Sequence, residues 1–290
     1  MMIRGSLPAL VTPFRDGGVD EDAFVALVER QLAAGARGLV PCGTTGEASA
    51  LRPDEHKRVI TLTIGAVRGR VPVVAGVGGG ALETVIEKMA FAKAQGADAA
   101  LVVTPYYVRP SQEGLVAYYE ALQKAVALPF VAYNVPTRTG VDLAVETLGR
   151  IAQLPNAIGL KDATGDLSRT PRHKALVPDD FALLSGDDGS ALGFNAQGGV
   201  GCISVTANVA PGAFAAMQEA TLTGDYAEAE RLNATMARLH RALFLYPSPA
   251  PVKRCLRLLG LCDDAVRLPL TEAPESLDAE LRAAMAEAGL

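Results

Sequence analysis

The stretch Val71-Pro72-Val73-Val74-Ala75-Gly76-Val77, followed by Gly78-Gly79-Gly80 and a helical pattern from Ala81 to Gln95, decides the fold. Val73-Val74-Ala75 is apolar on both faces, which suits a strand of a parallel sheet covered on both sides. The pattern after it sets Ile86, Met89, Ala90 and Ala94 on one helical face and stops at Gly96. The next apolar run, Ala99–Thr104, starts the same unit again, with Leu101-Val102-Val103 apolar throughout.

Outward from this unit, strand-like runs recur at Leu7–Val11, Gly38–Cys42, Val71–Val77, Ala99–Thr104, Phe130–Asn134, Ala157–Lys161, Phe181–Ser185 and Gly201–Val205. Helical patterns fill the gaps. One starts at Asp20 and repeats Phe24, Leu27, Val28 and Leu32, with Gln31 the one polar residue on that face and Gly35 as the stop. Another opens on Pro53-Asp54-Glu55, a proline suited to a first turn with acids at the positive helix end. Further helices are expected over Gln112–Val126, Asp142–Gln153, Ser168–Leu176 and Asp188–Gln197. Eight strand–helix units predict an α/β fold, a (β/α)8 barrel over residues 1–224. Residues 225–290 read as a C-terminal helical extension, broken at Pro247-Ser248-Pro249-Ala250-Pro251 and at Ala273-Pro274. The alternative, a doubly wound sheet, normally has fewer strands and a switch point.

The 290 residues are 49% hydrophobic and 20% charged, enough to bury a large core and incompatible with whole-chain disorder. Lys plus Arg number 27 against 32 Asp plus Glu, so no basic face for nucleic acid is expected. The four cysteines form no C-x-x-C and read as reduced thiols of a cytoplasmic protein. Residues 1–10 lack the apolar stretch of a signal peptide, and no apolar run reaches the ~18 residues of a membrane span.

In such a barrel, chemistry belongs at the carboxyl ends of the strands. Lys161 ends the run Ala157-Ile158-Gly159-Leu160. A free lysine is an uncharged amine in only about one molecule in 10³ near neutral pH, and burial in a barrel mouth raises that fraction. An uncharged lysine can attack a carbonyl and form a Schiff base. The alternative is a side chain that reaches water or pairs with Asp162. Tyr133 and Tyr107 are phenols at two other strand ends, able to pass protons or simply to pack. Thr44 and Thr45 sit in a glycine-bracketed turn, and Arg138 offers a fork that fits a carboxylate.

Gly76-Val77-Gly78-Gly79-Gly80-Ala81 imitates a dinucleotide-binding loop, but Asp98 precedes the following strand instead of ending it, so close backbone packing is the expected role. His56, His173 and His240 are scattered, which argues against a zinc site. Asp187 and Asp188 have a simpler use as caps of the next helix than as Mg²⁺ ligands.

In order along the chain stand Gly43-Thr44-Thr45-Gly46-Glu47, Thr104-Pro105-Tyr106-Tyr107, Tyr133-Asn134-Val135-Pro136-Thr137-Arg138-Thr139-Gly140 and Gly159-Leu160-Lys161-Asp162-Ala163-Thr164-Gly165. Leu184-Ser185-Gly186-Asp187-Asp188, Ile203-Ser204-Val205-Thr206-Ala207-Asn208 and Pro249-Ala250-Pro251-Val252-Lys253 follow. In this ordered set the chain resembles the dihydrodipicolinate synthase family, within the N-acetylneuraminate lyase superfamily, over essentially its whole length. The resemblance implies a lyase of lysine and diaminopimelate biosynthesis that joins pyruvate to L-aspartate 4-semialdehyde through a covalent imine, giving 4-hydroxy-tetrahydrodipicolinate without cofactor or metal. Lys161 would carry the imine, Tyr133 would donate and accept the proton, and Thr44 and Tyr107 would relay it, Tyr107 reaching in from a neighbouring subunit. Thr45, Gly186 and the Ile203 backbone would form the pyruvate site, and Arg138 would hold the semialdehyde carboxylate. Arg138 and Thr44 argue against the alternative within the superfamily, an aldolase acting on a sugar acid. A homotetramer, a dimer of dimers, is implied. His56 and Tyr106 match the site where lysine-inhibited members bind their effector, but Gly80, Thr84 and Ala48 stand where those members carry Asn, Glu and Ser, so inhibition by L-lysine is expected to be weak or absent.

Overall fold

A computed structural model describes residues 3–290, so the first two residues of the expected barrel segment lie outside the described residues. Seven parallel strands form the main sheet: β1 (Gly5–Pro8), β4 (Val74–Gly76), β5 (Ala99–Val103), β6 (Phe130–Asn134), β7 (Ala157–Asp162), β8 (Ala182–Ser185) and β9 (Gly201–Ser204). Their order is β1-β9-β8-β7-β6-β5-β4. A two-stranded hairpin, β2 (Phe14–Arg15) and β3 (Gly18–Val19), follows the first strand and was not expected from the sequence.

The sheet closes through Leu39 and Val40. Ala9 bridges Val40 and Leu39 bridges Val73, and the Val40 amide donates to Pro8 O at 3.1 Å while the Val74 amide donates to Leu39 O at 2.9 Å. The strand expected over Gly38–Cys42 is thus reduced to these bridging residues. Pro8, Pro41 and Pro72 stand along this seam, and none has an N–H to continue a ladder.

Closure gives every strand two apolar faces. Leu7, Val40, Val74, Leu101, Val131, Tyr133, Leu184 and Ile203 fill the interior. Leu39, Val73, Ala75, Val102, Ala132, Leu160 and Leu183, which alternate with inward-facing residues, pack outward under the helices. This accounts for the strands that read as continuously apolar.

The long helices match their sequence signals. α1 (Glu21–Ala33) begins at Asp20, whose carboxylate accepts from the Ala23 amide at 3.1 Å. Gln31, the polar interruption on its apolar face, is buried and donates to Ala207 O at 2.7 Å. α2 (Pro53–Val67), α3 (Leu82–Gln95, ended by Gly96 at φ 96°) and α4 (Gln112–Ala125) follow. After a short turn α5 (Pro136–Thr139), three helices are shorter than expected: α6 (Val145–Ile151), α7 (Arg169–Lys174) and α8 (Ala191–Ala196). The residues read as the starts of α6 and α8 are occupied elsewhere: Asp142 accepts from Asn134 at 2.8 Å, and Asp188 accepts from the Val205 and Thr206 amides at 3.0 Å each.

α9 (Pro211–Thr223) ends at Gly224 (φ 82°), and α10 (Tyr226–Ala242), α11 (Ala250–Leu258) and α12 (Asp278–Glu287) complete the chain. Pro251 lies in the first turn of α11, so the proline cluster both stops one helix and starts the next. One apolar cluster joins Val11, Leu27 and Phe214 to Met236, Leu239, Val252 and Leu281, across the boundary expected at 224/225. No helix among the described residues is long and apolar enough to cross a membrane.

The glycine run after β4 has a packing role. A Cβ at Gly76 would sit 2.1 Å from the Cys42 carbonyl oxygen, and one at Gly78 would sit 2.4 Å from Val103 Cγ1. Asp98 binds the Val73 amide at 2.8 Å, within the barrel wall. Gly76→Ala is expected to cost about 3 kcal/mol or more, because backbone atoms cannot yield as a side chain can. Urea unfolding measures it, and an unchanged midpoint would contradict this packing account.

Candidate active site

Parallel register brings two predicted residues together. Tyr133 of β6 is paired with Lys161 of β7, and both side chains turn into the barrel. Lys161 is 6% exposed, and its Nζ lies 4.3 Å from the Tyr133 ring centroid. It does not pair with Asp162, which faces outward and binds Arg169. Gly186, at the end of β8, supplies space: a Cβ there would lie 2.9 Å from Lys161 Cε and 2.8 Å from Ala163 Cβ. Ile203 is buried one strand further, on β9.

The residues just beyond Tyr133 and Lys161 point the other way and are clamped. Arg169 Nε donates to Asp162 at 3.2 Å, its Nη1 to Asp142 at 2.8 Å and its Nη2 to Leu143 O at 2.6 Å. Asp142 also accepts from Asn134, and Asn134 accepts from the Leu143 amide at 3.0 Å. One guanidinium therefore joins the outer faces of β6 and β7 directly behind the Tyr133–Lys161 pair. From the sequence, Asp162 stood only as a possible partner of Lys161, and Asn134 and Arg169 had no role. Alternation along each strand is the signal that places the first two outward; the arginine needs the fold.

Thr44 and Thr45 lie in the turn after the barrel's closing seam, Thr44 exposed and Thr45 buried. Left-handed backbone at Cys42 (φ 56°) and Glu47 (φ 54°) brackets this turn, a conformation that costs non-glycine residues of order 1 kcal/mol each. Glu47 anchors it. Its Oε1 is 2.5 Å from Lys253 Nζ, with both side chains fully buried, and its Oε2 accepts from the Arg267 amide at 2.9 Å. Lys253 also donates to Ala265 O at 2.7 Å and lies over the Phe14 ring. Burial pulls the Lys253 pKa down while the Glu47 carboxylate opposes it.

A cavity of about 500 Å³ opens beside the pair. Thr44, Tyr133 and Arg138 line it, and so do His56, Tyr106 and Thr84. Lys88 also lines it, and among the described residues its only hydrogen-bond partner is Gly78 O at 3.3 Å. Among the described residues neither Arg138 nor Lys88 has a carboxylate within 4.0 Å, and no carboxylate lines the cavity. The pocket therefore carries uncompensated positive charge and suits an anion. Lys161, Thr45, Gly186 and Ile203 lie outside the lining of this cavity.

Tyr107 is not brought to the site. It is 92% exposed, at φ 75°, and does not line the cavity; Tyr106 beside it is 41% exposed. His56 is buried in α2, with Nε2 2.8 Å from Gly76 O, and burial lowers its pKa to about 4. Of the two adjacent acids after Gly186, Asp187 serves the start of α8, accepting from the Ser190 amide at 2.9 Å, whereas Asp188 reaches across to β9. Among the described residues no group of three His, Cys, Asp or Glu side chains is placed to hold a metal ion. The cysteines are free, and burial pushes the Cys42 thiol up to about 12.

Comparison with known proteins agrees along the whole chain. The model of the dihydrodipicolinate synthetase family matches residues 2–288. The chain is 56% identical to the 4-hydroxy-tetrahydrodipicolinate synthase of Hyphomonas neptunium, covering 100% of this chain and 99% of that protein. It is also 56% identical to that of Phenylobacterium zucineum, covering 100% and 98%. Among solved structures it is similar to the chloride-inhibited dihydrodipicolinate synthase from Acinetobacter baumannii in complex with pyruvate, with a TM-score of 0.97, 45% identity and 99% coverage of both chains.

Two buried histidines predict an acid-side loss of stability. Burial lowers His56 and His173 to about 4 from the ordinary 6.5, so each is neutral in the fold and protonates more readily once unfolded. Their contribution is complete above 6.5 and is lost as pH falls toward 4, at about 3 kcal/mol each. The urea midpoint should drop between about pH 6.5 and pH 5 and drop less in a His56→Gln/His173→Gln variant. A flat profile in the unsubstituted chain would contradict this.

Proposed function

The chain belongs to the dihydrodipicolinate synthetase family and is a lyase of it, and from that premise we propose that it condenses pyruvate with L-aspartate 4-semialdehyde through an imine on Lys161. The observation that carries the reading is a lysine side chain buried in the barrel mouth, 4.3 Å from a phenol ring, beside a cavity whose cations have no counter-ion among the described residues.

Lys161 Nζ attacks the keto carbon of pyruvate, and water leaves as the imine forms. Loss of a methyl proton gives the enamine, whose carbon attacks the semialdehyde carbonyl. The semialdehyde's amine then adds to the imine carbon, closes the ring and expels the Lys161 amine, giving 4-hydroxy-tetrahydrodipicolinate. No cofactor enters this sequence. Tyr133 transfers the protons in this reading, with Thr44 next in the relay. Arg138 takes the semialdehyde carboxylate, which supports a small acidic aldehyde over a sugar acid. Thr45, Gly186 and the Ile203 backbone form the keto-acid end.

The relay is completed by Tyr107 of the partner subunit, within a homotetramer. The support is its near-complete exposure on left-handed backbone in a single chain. His56 and Tyr106 line the cavity together with Ala48, Thr84 and Lys88. Among the described residues it offers no carboxylate to a second ammonium, and Lys88 repels one, so L-lysine is a poor ligand there.

Borohydride added with pyruvate should leave a stable mass increase on the Lys161 peptide, and its absence would end the imine reading. Lys161→Ala should lose nearly all turnover, and Tyr133→Phe roughly 10²–10⁴-fold. Arg138→Ala should damage semialdehyde use far more than pyruvate trapping; equal damage would remove its assigned role. Turnover with N-acetylmannosamine in place of the semialdehyde would assign the chain to the sugar-acid aldolases. L-lysine should leave the rate unchanged at about 1 mM, and inhibition below that concentration would contradict the charge argument.

A further inference from the structure

One buried carboxylate holds the turn that ends β9. Asp188 is 2% exposed and, among the described residues, has no lysine or arginine within 4.0 Å. It is satisfied by donors instead: the Ser204 hydroxyl at Oδ1, the Val205 and Thr206 amides at Oδ2 (3.0 Å each), and the Cys202 thiol at 3.8 Å. Ser204 Oγ in turn accepts from the Ala207 amide at 2.9 Å, and Thr206 Oγ1 lies 2.8 Å from His240 Nδ1. Four consecutive residues, Ser204 to Ala207, are thereby tied to one side chain or to its immediate partner.

The anchor crosses the site. Asp188 stands two residues after Gly186, whose missing side chain makes room for Lys161, and it binds the residues directly after Ile203. β8 and β9 are paired only at Leu184↔Gly201 and Ser185↔Cys202, so beyond that point the two strand ends are joined by this carboxylate and not by a ladder. An ionised carboxylate is costly to bury unless its lone pairs are filled, and here they are filled by two backbone amides and a hydroxyl of the neighbouring strand's turn. Helix capping does not explain it, because the Ser190 amide is taken by Asp187.

We infer that Asp188 is a positioning residue for the keto-acid substrate, fixing through Ser204, Val205 and Thr206 the place of the Ile203 backbone at the end of β9. The inference rests on the reading that Lys161 and Ile203 receive pyruvate. Asp188 moves no proton in the reaction, and its effect belongs to keto-acid binding.

The test is Asp188→Asn in the full chain, assayed against both substrates and by borohydride trapping with pyruvate. Asparagine keeps the volume but turns one acceptor oxygen into an NH2 that faces another donor. KM for pyruvate should rise about tenfold or more, while KM for the semialdehyde should change by less than about threefold. Trapping at subsaturating pyruvate should slow in parallel. Ser204→Ala, which removes one donor and leaves both amide bonds, should shift pyruvate KM in the same direction by less, and it decides the matter by the same split if Asp188→Asn does not fold. An unchanged pyruvate KM, or an equal rise in both KM values, would overturn the inference and leave Asp188 with cohesion alone. No trapped adduct in the unsubstituted chain would mark failure of the imine reading itself, and the inference would fall with it; a normal adduct with an unsplit KM would mark failure of the role of Asp188 only.

Discussion

Everything at the site depends on the register between two adjacent parallel strands. Tyr133 pairs with Lys161 and Asn134 with Asp162, so the inward residues meet in the barrel mouth and the outward ones meet behind it. A slip by one residue would exchange the faces and send the lysine under the helices. The outer pair is where the register is secured. Arg169 binds Asp162 and Asp142, and Asp142 holds Asn134, so a slip would break a connected set of charge-assisted hydrogen bonds at once. The polar work is done outside so that the inside can hold an amine and a phenol without competing partners.

A second constraint ties the ends of the chain together. The turn bearing Thr44 and Thr45 has left-handed residues on either side and no strand ladder to stiffen it, because the seam it leaves is rich in proline. Its stiffness comes from Glu47, buried against Lys253 of α11 and the Arg267 amide. A buried ion pair is weak evidence for net stability, since desolvation offsets most of its attraction. Its value here is geometric: two fully buried charges tolerate almost no displacement. The C-terminal helices are therefore part of the active-site scaffold, and the apolar cluster they share with Val11 and Phe214 gives the same connection without charge.

The electrostatics of the cavity follow the same division. Acidic side chains near the mouth are turned away and satisfied: Asp162 by Arg169, Asp188 by the β9 turn, Glu47 by Lys253. Arg138 and Lys88 are left facing the open space without a carboxylate. In a partly desolvated pocket that imbalance favours an anion over a cation.

The βα repeat, the barrel class, and the residue types at the strand ends were legible from the chain alone, because apolar periodicity and punctuation by glycine and proline are local properties. Lys161 and Tyr133 could be singled out as polar residues at the ends of apolar runs, Thr44 by its glycine-bracketed turn and Arg138 as a guanidinium just beyond Tyr133. Gln31 looked like a flaw in its helix until Ala207, far along the chain, supplied its acceptor. Asp142 and Asp188 looked like helix starts because a carboxylate before a helix usually caps it. Only the tertiary structure gave them long-range partners, shortened the helices after them, reduced the strand at Gly38–Cys42 to two bridges, and selected Arg169 from many arginines as the clamp. Local sequence determines which element a segment forms and which face it turns inward. Which charges meet across elements depends on closure of the sheet, and closure is a property of all its strands together.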